Sequence, residues 1–174
     1  MHFDLKSISA ESIPEALARV ERYRLLNEPS LAESICLDIL AIDPSNQQAL
    51  IALLLARTDQ FSFNVNVSAK AAQEVLGQIT GDYELAYYTG IFWERLGHAR
   101  IRQVGQGEAA YHALQEAMTH YEKASSFNIP GNADATLRWN TCARMIMQNP
   151  HIWPHEVPED EWEHAEVNSR IPDA

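Results

Sequence analysis

The chain has 174 residues, 46% of them hydrophobic, which suffices for one domain with its own core and is short for two. Its net charge of −11 argues against nucleic acid and anionic membrane surfaces as partners, because both bind through clustered Lys and Arg that displace counterions. No stretch approaches the roughly 20 apolar residues of a membrane span, Met1 to Ala10 lacks the apolar run of a signal peptide, and Cys36 and Cys142 stand without Cys or His at metal spacing; a cytoplasmic protein with no cofactor is expected.

After a short lead, residues 1–11, helix starts are expected at Ser12-Ile-Pro-Glu15, Ser30-Leu-Ala-Glu33 and Ser45-Asn-Gln-Gln48, each with a hydroxyl three residues before a Glu or Gln as in a capping box. Apolar residues then recur at helical steps: Ile13, Leu17 and Val20 in the first helix, and Leu31, Ile35 and Ile39 with Ala32, Cys36 and Leu40 in the second. A third helix over 47–57 carries Ala49 to Ala56, apolar on all sides, so neighbours must cover more than one of its faces. Residues 58–67 mix Phe61, Phe63, Val65 and Val67 with Asn64 and Asn66, and read as a loop before a helix over 68–80.

Gly81 reads as a stop and Asp82 as the next N-cap, opening a helix with Leu85, Tyr88, Phe92, Leu96 and Ala99 on one stripe, running to about Val104. Gly105-Gln106-Gly107 is a turn, after which Ala110, Leu114, Ala117, Tyr121 and Ala124 mark a sixth helix that stops at Ile129-Pro130-Gly131. A seventh, capped by Asn132, carries Ala135, Trp139, Cys142 and Ile146 and ends before Asn149-Pro150. The expected fold is therefore all-α, with a helical domain over 12–150 and a tail over 151–174. That tail holds seven acidic residues against Arg170 alone, so −6 of the net −11 lies there. Pro158 followed by three acids favours a short helix over 159–167. Solvated disordered segments are poor in tryptophan, so Trp153 or Trp162 is expected to dock on the last helices or in a neighbouring molecule, with disorder as the alternative.

Consecutive helix pairs of this kind prompt a search for repeats. Ala117-Met-Thr-His-Tyr121-Glu-Lys-Ala124 resembles the second helix of a tetratricopeptide repeat, with its small, aromatic, small order. Ala32, Cys36, Ile39 and Asp43-Pro44-Ser-Asn46 resemble it in the first unit, and Gly90, Trp93 and Gly97 resemble the first helix of the third. The matches span Pro14 to Ile146, at about 34 residues per unit. They are interrupted by the loop at 58–67 and by about four extra helical turns around His98 to His112. This resemblance implies a right-handed α-solenoid of about three helical hairpins plus a C-terminal capping helix. It also implies a concave face, lined by the first helix of each pair, that accepts a peptide or an amphipathic helix.

The residues placed on that face are Leu17, Glu21, Arg24, Ile51, Leu55, Tyr87, Ile91, Glu94, Leu137, Thr141 and Arg144. They include no Lys, Asn and Arg set of the kind that chaperone-binding members use to clamp a terminal carboxylate. An apolar floor instead suits an amphipathic segment, although apolar stripes are core first and groove second. The expected function is thus a protein-binding scaffold or adaptor. A small secretion-type chaperone shielding a hydrophobic client is the alternative on grounds of length and charge, and homo-oligomerisation through tail or groove stays open.

Enzymatic chemistry is not expected, since there is no HExxH, no GxSxG and no phosphate-binding loop. One metal-site constellation, which a metal-dependent helical enzyme would require, can be drawn. Glu94 with His98, and His112 with Glu116, are i, i+4 pairs on the two arms of the long hairpin, and antiparallel pairing places position 98 about level with position 113. His151, His155 and His164 are divided by Pro154 and Pro158 and lack a common frame.

Overall fold

The computed structural model describes residues 3–62 and 65–154, with side chains described outside 62–68. Seven α-helices follow in order: α1 Ile13–Leu25, α2 Pro29–Ile42, α3 Gln47–Asp59, α4 Val65–Leu76, α5 Asp82–Ile101, α6 Gly107–Ser125 and α7 Asp134–Gln148, with no strand among the described residues. The all-α expectation holds, and several boundaries move. Part of the expected loop is helical: α3 runs on to Asp59 and leads into a 3-10 turn, Gln60–Ser62, while α4 begins at Val65 and ends at Leu76.

The caps also differ from the capping-box reading. Ser12 makes no side-chain cap and instead pairs its hydroxyl with that of Ser9 at 3.0 Å. The second helix starts one residue early, at Pro29, whose missing N–H costs nothing in a first turn. At α3 the cap is Asn46, whose Oδ1 accepts from the Ala49 N–H at 3.0 Å, while Ser45 turns to Asp43. Gly81, not Asp82, occupies the cap of α5, with φ 92 in a region that favours glycine. Asn132 does accept from the Asp134 N–H at 2.9 Å, one position before the assigned cap.

Each helix packs on the next in sequence, and α3 additionally touches α1 and α5. This gives α3 four helical neighbours and explains why its apolar residues occupy more than one face: Ala49, Leu50, Leu53, Leu54 and Ala56 are all buried. The buried residues form two clusters. The first joins Val20, Ala32, Cys36, Ile39, the α3 leucines, Phe61, Val75, Phe92 and Leu96, with Ile8 of the lead packed against it. The second joins Ala86, Ile91, Leu114, Ala117, Tyr121, Ala124, Ala135, Cys142 and Ile152. Helix α5 contributes to both.

The α5–α6 hairpin has the longest arms, 20 and 19 residues, which is about 30 Å of helix each. Two glycines bring the arms together. A Cβ on Gly90 would lie 2.5 Å from the Tyr121 ring, and one on Gly97 would lie 2.9 Å from Leu114. After α7 a 3-10 turn, Pro150–Ile152, places Ile152 at 0% exposure in the second cluster, against the start of α6.

Candidate functional site

One carboxylate ties together α1, α3 and α5. Asp59, at the end of α3, accepts from Arg24 Nε at 2.9 Å and from Arg95 Nη1 at 2.7 Å. Arg95 also donates to the Leu55 carbonyl at 2.9 Å and to the Thr58 hydroxyl, which itself donates to that carbonyl, so the guanidinium fastens α5 to the end of α3. Burial disfavours the Arg95 charge, and Asp59 opposes that effect.

The neighbouring residue on α5, Glu94, ties the hairpin to α7. The residue is 7% exposed; one carboxylate oxygen accepts from Tyr121 Oη at 2.6 Å and the other from Arg138 Nη1 at 2.9 Å. Burial, then the Glu94 charge and the hydrogen bond to it, push the Tyr121 hydroxyl well above the ordinary tyrosine range. Burial is the largest influence and works against the Arg138 charge, but Glu94, Tyr121 and Tyr87 together outweigh it and hold the guanidinium above its usual value. A buried carboxylate with two donors is satisfied, not poised for chemistry. Around it stand tyrosines: Tyr83 stacks on Tyr87 with centroids 5.8 Å apart, and Tyr87 meets Tyr121 at 5.9 Å.

Ion pairs therefore run through α1, α3, α5 and α7, and most of the residues expected on the binding face fall beside them. Leu17 and Ile51 are half-buried against the first cluster, and Leu55 and Tyr87 are half-buried against the second. Leu137 is 61% exposed, Thr141 and Arg144 are exposed, and Glu21 is exposed near the paired Arg24. Two expectations are corrected. Ile91 is core at 3% exposure, because α5 is covered on several sides, and Glu94 is buried and bonded. Neither offers a surface to a partner.

The hairpin metal constellation is also corrected. Glu94 is engaged by Tyr121 and Arg138, His112 is exposed and faces Glu108 at 3.6 Å, and Glu116 is exposed. The two arms meet through Gly90 and Gly97, so the four side chains do not converge; among the described residues no three His, Cys, Asp or Glu are grouped to hold a metal. His98 instead borders a cleft of about 420 Å³ between the end of α3 and the outer half of α5, lined by Thr58, Asp59, Phe61, Arg95, His98 and Arg102. Burial and the Arg102 charge hold His98 below the usual histidine value, so it is largely neutral at pH 7.

In the tail, Trp153 is 49% exposed and its indole N–H donates to the Ile146 carbonyl at 3.0 Å, while the deeply buried residue of this segment is Ile152. Trp162, His155, His164 and the expected helix over 159–167 lie outside the described residues. Sequence reading also missed Asp59, Arg95 and Arg138. The available signal was a Glu94-Arg95 pair inside the mostly apolar run from Leu85 to Leu96, since charges there need partners. No helix among the described residues is long and apolar enough to cross a membrane. Compared with protein-family models, with curated proteins and with solved structures, the chain finds no match.

Proposed function

We propose that this chain is a protein-binding adaptor of tetratricopeptide-like build, a right-handed solenoid of helical hairpins closed by α7, that holds an amphipathic helix or apolar peptide along the surface shared by its first helices. The observation that carries this reading is the internal pairing of that surface's charges. Arg24, Asp59 and Arg95 bond to one another and Glu94 bonds to Arg138, with Glu21 and Arg144 exposed beside them, whereas Ile51, Leu55, Tyr87 and Leu137 keep apolar area in water. Only the apolar groups gain by being covered, and a few buried anchors supply most of the affinity of such contacts. The contact of α1 with α3 and of α3 with α5 supports the repeat reading. The paired arginines also disfavour capture of a partner's terminal carboxylate, since each already has an acceptor within the chain.

The test is selection from a displayed library of amphipathic helical peptides against the whole chain. Binders should lose most of their affinity for an Ile51→Ser, Leu137→Ser double variant and keep it for Leu31→Ser, Leu37→Ser, which changes exposed leucines on α2. Equal loss in both variants, or no binders at all, rejects the reading.

A further inference from the structure

The outer half of α5 is the cationic part of an acidic protein. Between Glu94 and Glu108 the sequence has no acid and carries Arg95, Arg100 and Arg102. Around the 420 Å³ cleft the balance is also positive, because the single carboxylate of Asp59 is shared by Arg24 and Arg95 while Arg102 stands on the rim. Among the described residues neither Arg102 nor His98 makes an ion pair. Arg102 also lines a second cleft, of about 440 Å³, at the hairpin tip, together with Gln103, His151 and Trp153.

That second cleft is where the chain passes Trp153 and Pro154 and continues for 20 residues, with Glu156, Glu159, Asp160, Glu161, Glu163 and Glu166 among the first twelve. From Arg102 back to Arg95 is seven residues of helix, about 10 Å. Residues 155–166 can span up to about 40 Å when extended. The strongest concentration of negative charge in the sequence is thus tethered beside the most basic segment, with ample reach and at a high effective concentration.

We propose that the outer face of α5, from Arg95 to Arg102 with the cleft beside Asp59 and Phe61, is a docking surface for an acidic segment, and that its occupant is residues 156–166 of the same chain. The segment lies over the cleft by charge pairing with Arg102 on its rim, beside the paired but net positive cluster of Arg24, Asp59 and Arg95. It covers one end of the α3–α5 surface whatever that surface binds, so the proposal stands apart from the adaptor reading.

The experiment is amide NMR on the full chain, comparing wild type with a variant carrying Glu159→Gln, Asp160→Asn, Glu161→Gln and Glu163→Gln. Amide shifts should move at 98–103 and 58–61, and raising sodium chloride to about 0.5 M, where the screening length is about 4 Å, should move the wild-type signals in the same direction. Arg102→Glu, at an exposed site that does not threaten the fold, should in turn move the amides of 156–166. Changes confined to the substituted residues overturn the proposal. So do changes on α1 or α7 instead, or changes that grow with protein concentration, the last pointing to a tail seated on a second copy.

Discussion

The two buried clusters are held together by different means. The cluster of α1 to α4, joined by part of α5, is aliphatic and small-residue packing centred on the α3 leucines, with Phe61 edge-on to Phe92 at 5.7 Å and its ion pairs, Arg24–Asp59–Arg95 and Arg57–Glu33, at the partly exposed margin. The cluster of α5 to α7 is organised by close approach and a polar network: Gly90 seats the Tyr121 ring, and that tyrosine's hydroxyl, together with Arg138, fixes Glu94. Packing by volume tolerates alternative side chains of similar size, whereas a hydrogen-bonded buried carboxylate specifies one rotational setting of three helices at a cost in desolvation. The first region is therefore expected to be permissive and the second exacting.

The sharpest break of that contrast is Gly90→Leu against Leu54→Met. The first drives a side chain into the Tyr121 ring and should cost more than about 3 kcal/mol or prevent folding, while the second conserves volume and should cost less than about 1.5 kcal/mol in urea denaturation. Comparable costs would erase the distinction. Next in size, Glu94→Ala strands the Tyr121 hydroxyl and the Arg138 charge and should cost about 3 kcal/mol. Combining Glu94→Leu with Tyr121→Phe and Arg138→Met should recover most of that loss, as replacement of a whole buried network often does. A triple variant no better than Glu94→Ala would show that the network itself, and not its incompleteness, matters.

Asp59→Ala removes a partly exposed carboxylate from two arginines and should cost about 1 kcal/mol, with the loss shrinking at high salt. The smallest effect near neutral pH concerns the thiols. Burial raises Cys36 and Cys142, one in each cluster, to about 12, so neither should react with iodoacetamide at pH 8 in the folded chain. These raised values contribute stability that is fully present below pH 9 and lost as pH climbs from 9 toward 12, because only the unfolded thiols ionise readily in that window. Rapid labelling of one cysteine alone would mark its cluster as locally open.

How much of this was legible depended on the kind of interaction. Seven helices could be read because apolar residues at three- and four-residue steps report a covered face directly. Helix ends were less legible: Asn46 displaced Ser45 as a cap, and part of the expected loop at 58–67 proved helical around β-forming residues. There the local signal is worth about 1 kcal/mol, and at Phe61, buried against Phe92, tertiary packing outweighs it. At the candidate surface, Tyr87 and Ile91 sit one turn apart on the same stripe, yet one is half-buried and the other is core. Periodicity names a stripe; which edge of it stays wet is set by where α3 and α6 lie, and that is long-range information. The partners of Glu94 on α6 and α7, 27 and 44 residues away in sequence, were out of reach for the same reason.

The most direct test of the account is to map, by amide NMR on the whole chain, where a selected amphipathic helical peptide binds. Perturbed amides should cluster on α1, α3, α5 and α7, around Leu17, Ile51, Leu55, Tyr87 and Leu137, with Ile91 and Glu94 shifted little because their side chains are already covered. Perturbations concentrated on α2, α4 and the outer side of α6 would contradict it.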